Sequence, residues 1–144
     1  MAPFGIFGRK KKEAEEKVAE KTLLDELCGD DAQLKKVLTK TLLVNPQLTA
    51  KEMGIEKHIE KAQEYEKNKE NVRARVEYQV AGELALYEGK LADVQKSFKR
   101  AAEIDPDCPN RSIYEFFTKK ENAQKALAVA QEYYAHIAKQ SEKK

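Results

Sequence analysis

Two stretches of the chain, Gly29 to Pro46 and Gly89 to Pro106, repeat one another at the same interval. Ala32 matches Ala92, Lys36 matches Lys96, Leu38 matches Phe98 and Val44 matches Ile104. Asn45-Pro46 matches Asp105-Pro106. A repeated unit that cannot bury its own apolar face must bury it against its neighbours, which points to stacked helical units. Composition agrees. Ala, Glu, Lys, Leu and Gln dominate, and six Gly and four Pro among 144 residues are too few for an all-β chain rich in turns.

Apolar periodicity places the helices. From Glu13 the pattern is helical, with Val18, Leu23, Leu24 and Leu27 leading to a stop at Gly29, and Asp30 or Asp31 can cap the next helix. That helix carries Leu34, Val37, Leu38, Thr41 and Leu42 on one face, and Asn45-Pro46 is expected to end it. Thr49 to Glu52 has the capping-box pattern and should open a helix with Ile55, Ile59 and Ala62 inside. A break or kink is expected within the polar stretch Gln63 to Asn71. From Val72 to Glu88 the chain is apolar on two sides. Val72, Val76, Val80 and Leu84 form one stripe, and Tyr78, Ala81 and Ala85 form another, as suits a helix held between two others.

Gly89 stops that helix. Leu91, Val94, Phe98, Ala101 and Ile104 carry the next, which Asp105-Pro106 ends. Ser112 to Glu115 is a second capping-box pattern. It should open one long terminal helix, or two with a kink near Thr118 to Asn122. The expected fold is all-α, with about six helices in a single domain over residues 13–144. Residues 1–12 read as a separate mobile tail.

Residues 75–108 resemble one tetratricopeptide repeat without a gap, and residues 15–48 resemble a more divergent copy. The resemblance rests on Gly82 in the first helix, Gly89 in the turn, Phe98 and Ala101 in the second helix, and the terminal Asp105-Pro106. It implies helical hairpins stacked as a short solenoid or bundle, in which Gly82 lets the second helix approach closely. It also implies a groove lined by first helices, with Val76, Gln79, Glu83, Leu86 and Tyr87 facing a partner peptide or amphipathic helix. Family members that clamp a C-terminal carboxylate use Lys, Asn and Arg there. Val76, Gln79 and Glu83 stand in those places, which argues against that ligand.

No catalytic or metal-binding pattern stands out. Cys28, His58, Cys108 and His136 are isolated, with no ligand-pair spacing, and no glycine loop suited to phosphate follows a strand. The carboxylates alternate with lysines, as on solvated helix faces. The expectation is therefore a non-catalytic adaptor or scaffold that binds another protein and needs no cofactor. With no export signal and two widely separated cysteines, reduced thiols and a cytoplasmic location are expected.

The tail offers a second reading. Phe4, Ile6 and Phe7 precede Arg9, Lys10, Lys11 and Lys12. Such a segment can touch an anionic membrane weakly, at about 1 kcal/mol per basic residue. Nucleic acid is the lesser option, because the net charge is only +2 and interleaved acids interrupt any basic stripe.

Overall fold

The computed structural model describes residues 23–142, and every described element is an α-helix. Helical residues 23–28 (α1) are followed by α2 (Ala32–Thr41), α3 (Pro46–Glu52), α4 (Ile55–Lys67), α5 (Asn71–Glu88), α6 (Leu91–Ile104), α7 (Arg111–Phe116) and α8 (Lys120–Glu142). These eight segments among the described residues exceed the six expected. The extra ones arise where Pro46 starts a helix and where α7 separates from α8. The anticipated tail, residues 1–12, and the part of the first expected helix before residue 23 lie outside the described residues.

Both repeat glycines do the same job. Gly29 and Gly89 take left-handed φ values of 61° and 76°, which a side chain would strain. Asp31 accepts a hydrogen bond from the Leu34 N–H at 3.1 Å, as its capping position foretold. Leu38 and Phe98, the large residues matched between the copies, are both fully buried. The copies part at their ends. Asp105-Pro106 follows α6 in a turn, whereas α2 already stops at Thr41 and Pro46 is the first residue of α3. The expectation that Asn45-Pro46 ends a helix is thus corrected. A proline at the first helical position gives up only an N–H that has no partner within the helix, and its fixed φ starts the turn.

That early start also displaces the Thr49 to Glu52 capping box. Thr49 is already inside α3, where its hydroxyl donates to the Asn45 carbonyl at 3.1 Å. α4 begins instead after Gly54. The break expected between Gln63 and Asn71 is present. Lys69 adopts φ 60°, and the Glu70 N–H closes the end of α4 onto the Tyr65 carbonyl at 2.8 Å.

α5 lies between α4 and α6, packed on both. Ala74, Tyr78, Ala81 and Ala85 bury one side of it, and Leu84 and Leu86 are fully enclosed. Its other expected stripe is buried only toward the C-terminal end, since Val72 and Val76 are exposed. At Gly82 the two antiparallel helices nearly touch. A Cβ there would stand 2.6 Å from Cε2 of Phe98. The Phe98 ring is held from behind by Phe117, stacked at a centroid distance of 4.2 Å.

The Ser112 to Glu115 pattern does not form a capping box. Asn110 occupies the cap position without a side-chain bond, and Glu115 is taken by the Arg111 guanidinium at 2.7 Å. The terminal segment breaks after Phe116, where the Thr118 hydroxyl donates to the Glu115 carbonyl at 2.6 Å. Two helices result, with α8 starting inside the anticipated interval.

Arg75 ties the first turns of α5 to the turn after α6 and to α7. Its Nε donates to Asp105 at 3.0 Å and its Nη1 donates to the Tyr114 hydroxyl at 2.9 Å. Replacing it by methionine keeps the packed stem but leaves both partners short of a bond. Arg75→Met is expected to lower stability by about 2 kcal/mol, measured as a drop in the urea midpoint with an unchanged slope. An unchanged midpoint would show that the tie contributes nothing.

Candidate interaction surface

The five residues expected to line a groove all lie on α5, but the structure does not present them as one open face. Val76 is exposed at 44%. Gln79 is half-buried and accepts from the Tyr114 hydroxyl. Glu83 is 7% exposed and Leu86 is fully buried, so neither is open to a partner in this arrangement. Tyr87 is half-buried, edge-on to Tyr134 at a centroid distance of 5.2 Å.

The covering element over the C-terminal half of α5 is α8. Gln131 Nε2 donates to the carbonyls of Leu86 at 2.6 Å and Tyr87 at 2.9 Å. Those carbonyls belong to the last turn of α5, where no N–H of the same helix is left to reach them. Tyr134 extends the clamp, its hydroxyl accepting from the Leu43 N–H at 2.8 Å. Burial pushes the Tyr134 hydroxyl pKa well above its ordinary value; the backbone bond to Leu43 opposes this and Glu83 adds to it. Ile113, Phe116, Phe117, Ala123, Leu127, Ala130, Tyr134 and Ile137 recur at a near-heptad interval in the sequence, and all are buried except Leu127, which is half-buried, and Ile137, which is exposed.

Where α8 leaves α5, a cleft of about 520 Å³ opens between the α2–α3 turn and α8. Tyr87 and Tyr134 line it together with Val44, Pro46, Gln131 and Ile137. None of its lining residues is charged. Val44 is 94% exposed and Ile137 is 40% exposed, and Leu48 on the adjoining α3 also faces solvent. Of the expected groove residues, only Tyr87 belongs to this cleft. Sequence reasoning missed Val44 because the repeat matches it to Ile104, an apolar position of a helix, whereas Val44 lies beyond the end of α2. The available signal was its place immediately before Asn45-Pro46, in a link too short to fold back over it.

Glu83 sits beneath this region. Its carboxyl is pushed up to about 8, because burial disfavours the charged form more than a hydrogen bond from Gln79 favours it.

The four isolated metal-ligand candidates are dispersed. His58 Nδ1 pairs with Glu77 at 2.6 Å, His136 is exposed on α8 beside Gln140, and Cys28 and Cys108 are separate buried thiols. Among the described residues no three His, Cys, Asp or Glu side chains gather where a metal could bind. No described helix is long and apolar enough to cross a membrane. The expected tail contacts, Phe4, Ile6, Phe7, Arg9, Lys10, Lys11 and Lys12, lie outside the described residues. Comparison of the chain with protein-family models, curated proteins and solved structures finds no match.

Proposed function

We propose that this chain is a non-catalytic protein–protein interaction module that receives an amphipathic helix or peptide of another protein in the cleft between the α2–α3 turn and α8. The observation that carries the reading is the exposure of Val44 and Ile137 around an uncharged, tyrosine-lined cleft. Aliphatic side chains left in solvent around an uncharged cleft suit a surface that a partner covers. Burying one such aliphatic side chain contributes roughly 1.5–3 kcal/mol, and an apolar helix face in a groove is a common way to use it.

The α5–α6 hairpin supports a tetratricopeptide-like scaffold beneath this surface, with Gly82 against Phe98 and a turn at Gly89. In this reading α8 closes one end of the stack, as solenoids require. It also moves the partner surface from the α5 face to the rim formed by Tyr87, Tyr134 and Ile137.

Affinity capture with mass-spectrometric identification, followed by titration of the purified partner, tests the proposal. Val44→Asp and Ile137→Lys are each expected to weaken binding at least tenfold while leaving the thermal midpoint nearly unchanged, since both side chains project outward. Val76→Asp, on the open part of α5, serves as the comparison. Equal affinity of the wild type and both cleft variants overturns this choice of surface, and failure to retain any partner overturns the module itself.

A further inference from the structure

The cleft between the α2–α3 turn and α8 opens on the side where the chain enters the described fold. Gly29 turns α1 back toward α2. Asp25, one turn before the end of α1, pairs with Lys35, one turn into α2, so the two helices run antiparallel. Leu24, near the start of α1, is buried in the same core as Val37 and Leu38. Followed backwards from α1, the chain therefore leaves alongside the second half of α2. It points toward Thr41 and the turn that holds Val44.

The length of chain on that side is ample. Phe7 lies sixteen residues before the start of α1. Such a segment spans about 50 Å extended and about 24 Å as helix. Val44 lies nine residues past Lys35. That distance is under about 20 Å even with the last three residues extended.

The chemistry of the two surfaces matches. Phe4, Ile6 and Phe7 form an apolar cluster with no charge before Arg9. The cleft has no charged lining residue and presents the rings of Tyr87 and Tyr134 beside Val44 and Ile137. Phenyl and phenol rings attract one another edge-on or offset. From Ala135 to Gln140 every residue of α8 is exposed, so no described element covers that wall. Arg9 to Lys12 follow the apolar cluster and can stay in water at the rim.

We infer that Phe4 to Phe7 of the same chain occupy this cleft in the free protein and compete with the partner for it. This built-in competitor regulates the surface described under the proposed function, and in that respect it rests on that reading. A tethered segment meets its site at an effective concentration of roughly millimolar. A contact too weak to retain a free peptide is then still made within the chain.

The probe is a synthetic peptide of residues 1–12. It is titrated into the full chain carrying Phe4→Ser and Phe7→Ser, and separately into the wild type. The methyl shifts of Val44 and Ile137 report on the cleft. Saturable binding to the variant is expected, with a dissociation constant on the order of 0.3 mM, below the effective concentration of the tethered tail. In the wild type the tail already fills the cleft, so the apparent affinity should be about threefold to tenfold weaker. Adding Val44→Asp to the variant should remove the Ile137 shift. Without peptide, the wild type should show nuclear Overhauser contacts from the Phe4 and Phe7 rings to these methyls. An isotope-mixed sample should place those contacts within one chain.

Equal peptide affinity for the two chains, or no binding, overturns the inference. So does equal binding of a peptide whose two phenylalanines are serine, because charge alone then drives it. Contacts found only between chains give the cleft to a second copy and overturn it as well. None of these measurements uses the partner. If they succeed while Val44→Asp leaves partner affinity unchanged, the docked tail stands and the proposed partner surface falls. If they fail while that variant weakens the partner, only the competitor is lost.

Discussion

Gly82→Ala should destabilise the fold by about 2 kcal/mol net, although alanine is the better helix former by about 1 kcal/mol. The added methyl would lie within 3 Å of three Phe98 ring atoms, the nearest at 2.6 Å. The ring has no easy retreat. It is fully buried, stacked on Phe117 at 4.2 Å, and near Tyr114 at a centroid distance of 6.0 Å. Either α5 and α6 separate or the aromatic cluster shifts, and both give up contact across the main helix pair.

Phe98→Ala attacks the same contact from the other side and is expected to cost about 3–5 kcal/mol, through lost burial and the cavity left behind. Combining Gly82→Ala with Phe98→Leu should restore part of what each change loses alone, because the smaller residue makes room for the methyl. Urea unfolding of the four proteins measures the coupling. A Gly82→Ala chain more stable than the wild type would mean that α6 is not held against α5 at this point.

Stability should also fall as the pH is raised from about 4.5 to beyond 8, through Glu83. In the unfolded chain this carboxyl ionises near its ordinary value of 4.5, whereas in the fold it holds its proton up to about 8. Below 4.5 both states are protonated and the contribution of Glu83 is fully present. Between the two values the unfolded chain ionises first, so the folded state progressively loses ground, and above about 8 the loss is complete.

The separation of the two values corresponds to roughly 5 kcal/mol, an upper figure because water and local rearrangement reduce the cost of the buried charge. Glu83→Gln keeps the shape and a neutral amide without the proton equilibrium. Its stability relative to wild type should therefore grow by several kcal/mol from pH 4.5 to pH 9. Thermal or urea midpoints of the pair across that range provide the check. Parallel curves would show that Glu83 is hydrated in the fold.

Much of the helical order was legible because its signals are local. Gly89 and Gly29 had to accept φ values that other residues avoid, and Asp31 had to reach only three residues ahead. The polar stretch at Asn68 to Glu70 contained too little apolar surface to carry α4 straight into α5. The pairing of Gly82 with Phe98 was legible from its likeness to a repeat whose two helices cross at a small residue. Cap motifs were less informative, since they depend on which residue starts the turn. Pro46 placed Thr49 inside a helix, and Arg111 took the carboxylate that the Ser112 pattern required.

The groove residues show the limit most clearly. Val76, Gln79, Glu83, Leu86 and Tyr87 recur at helical spacing, so their common helix followed from periodicity. Whether that helix faces solvent or another helix did not. Local spacing settles which residues share an element and where it turns, because backbone sterics and apolar periodicity act over a few positions. Only the packed structure decided that α8 covers Leu86 and caps the end of α5 through Gln131, leaving Val44 and Ile137 to water. Burial depends on contacts between segments more than 40 residues apart, and no short-range pattern carries that information.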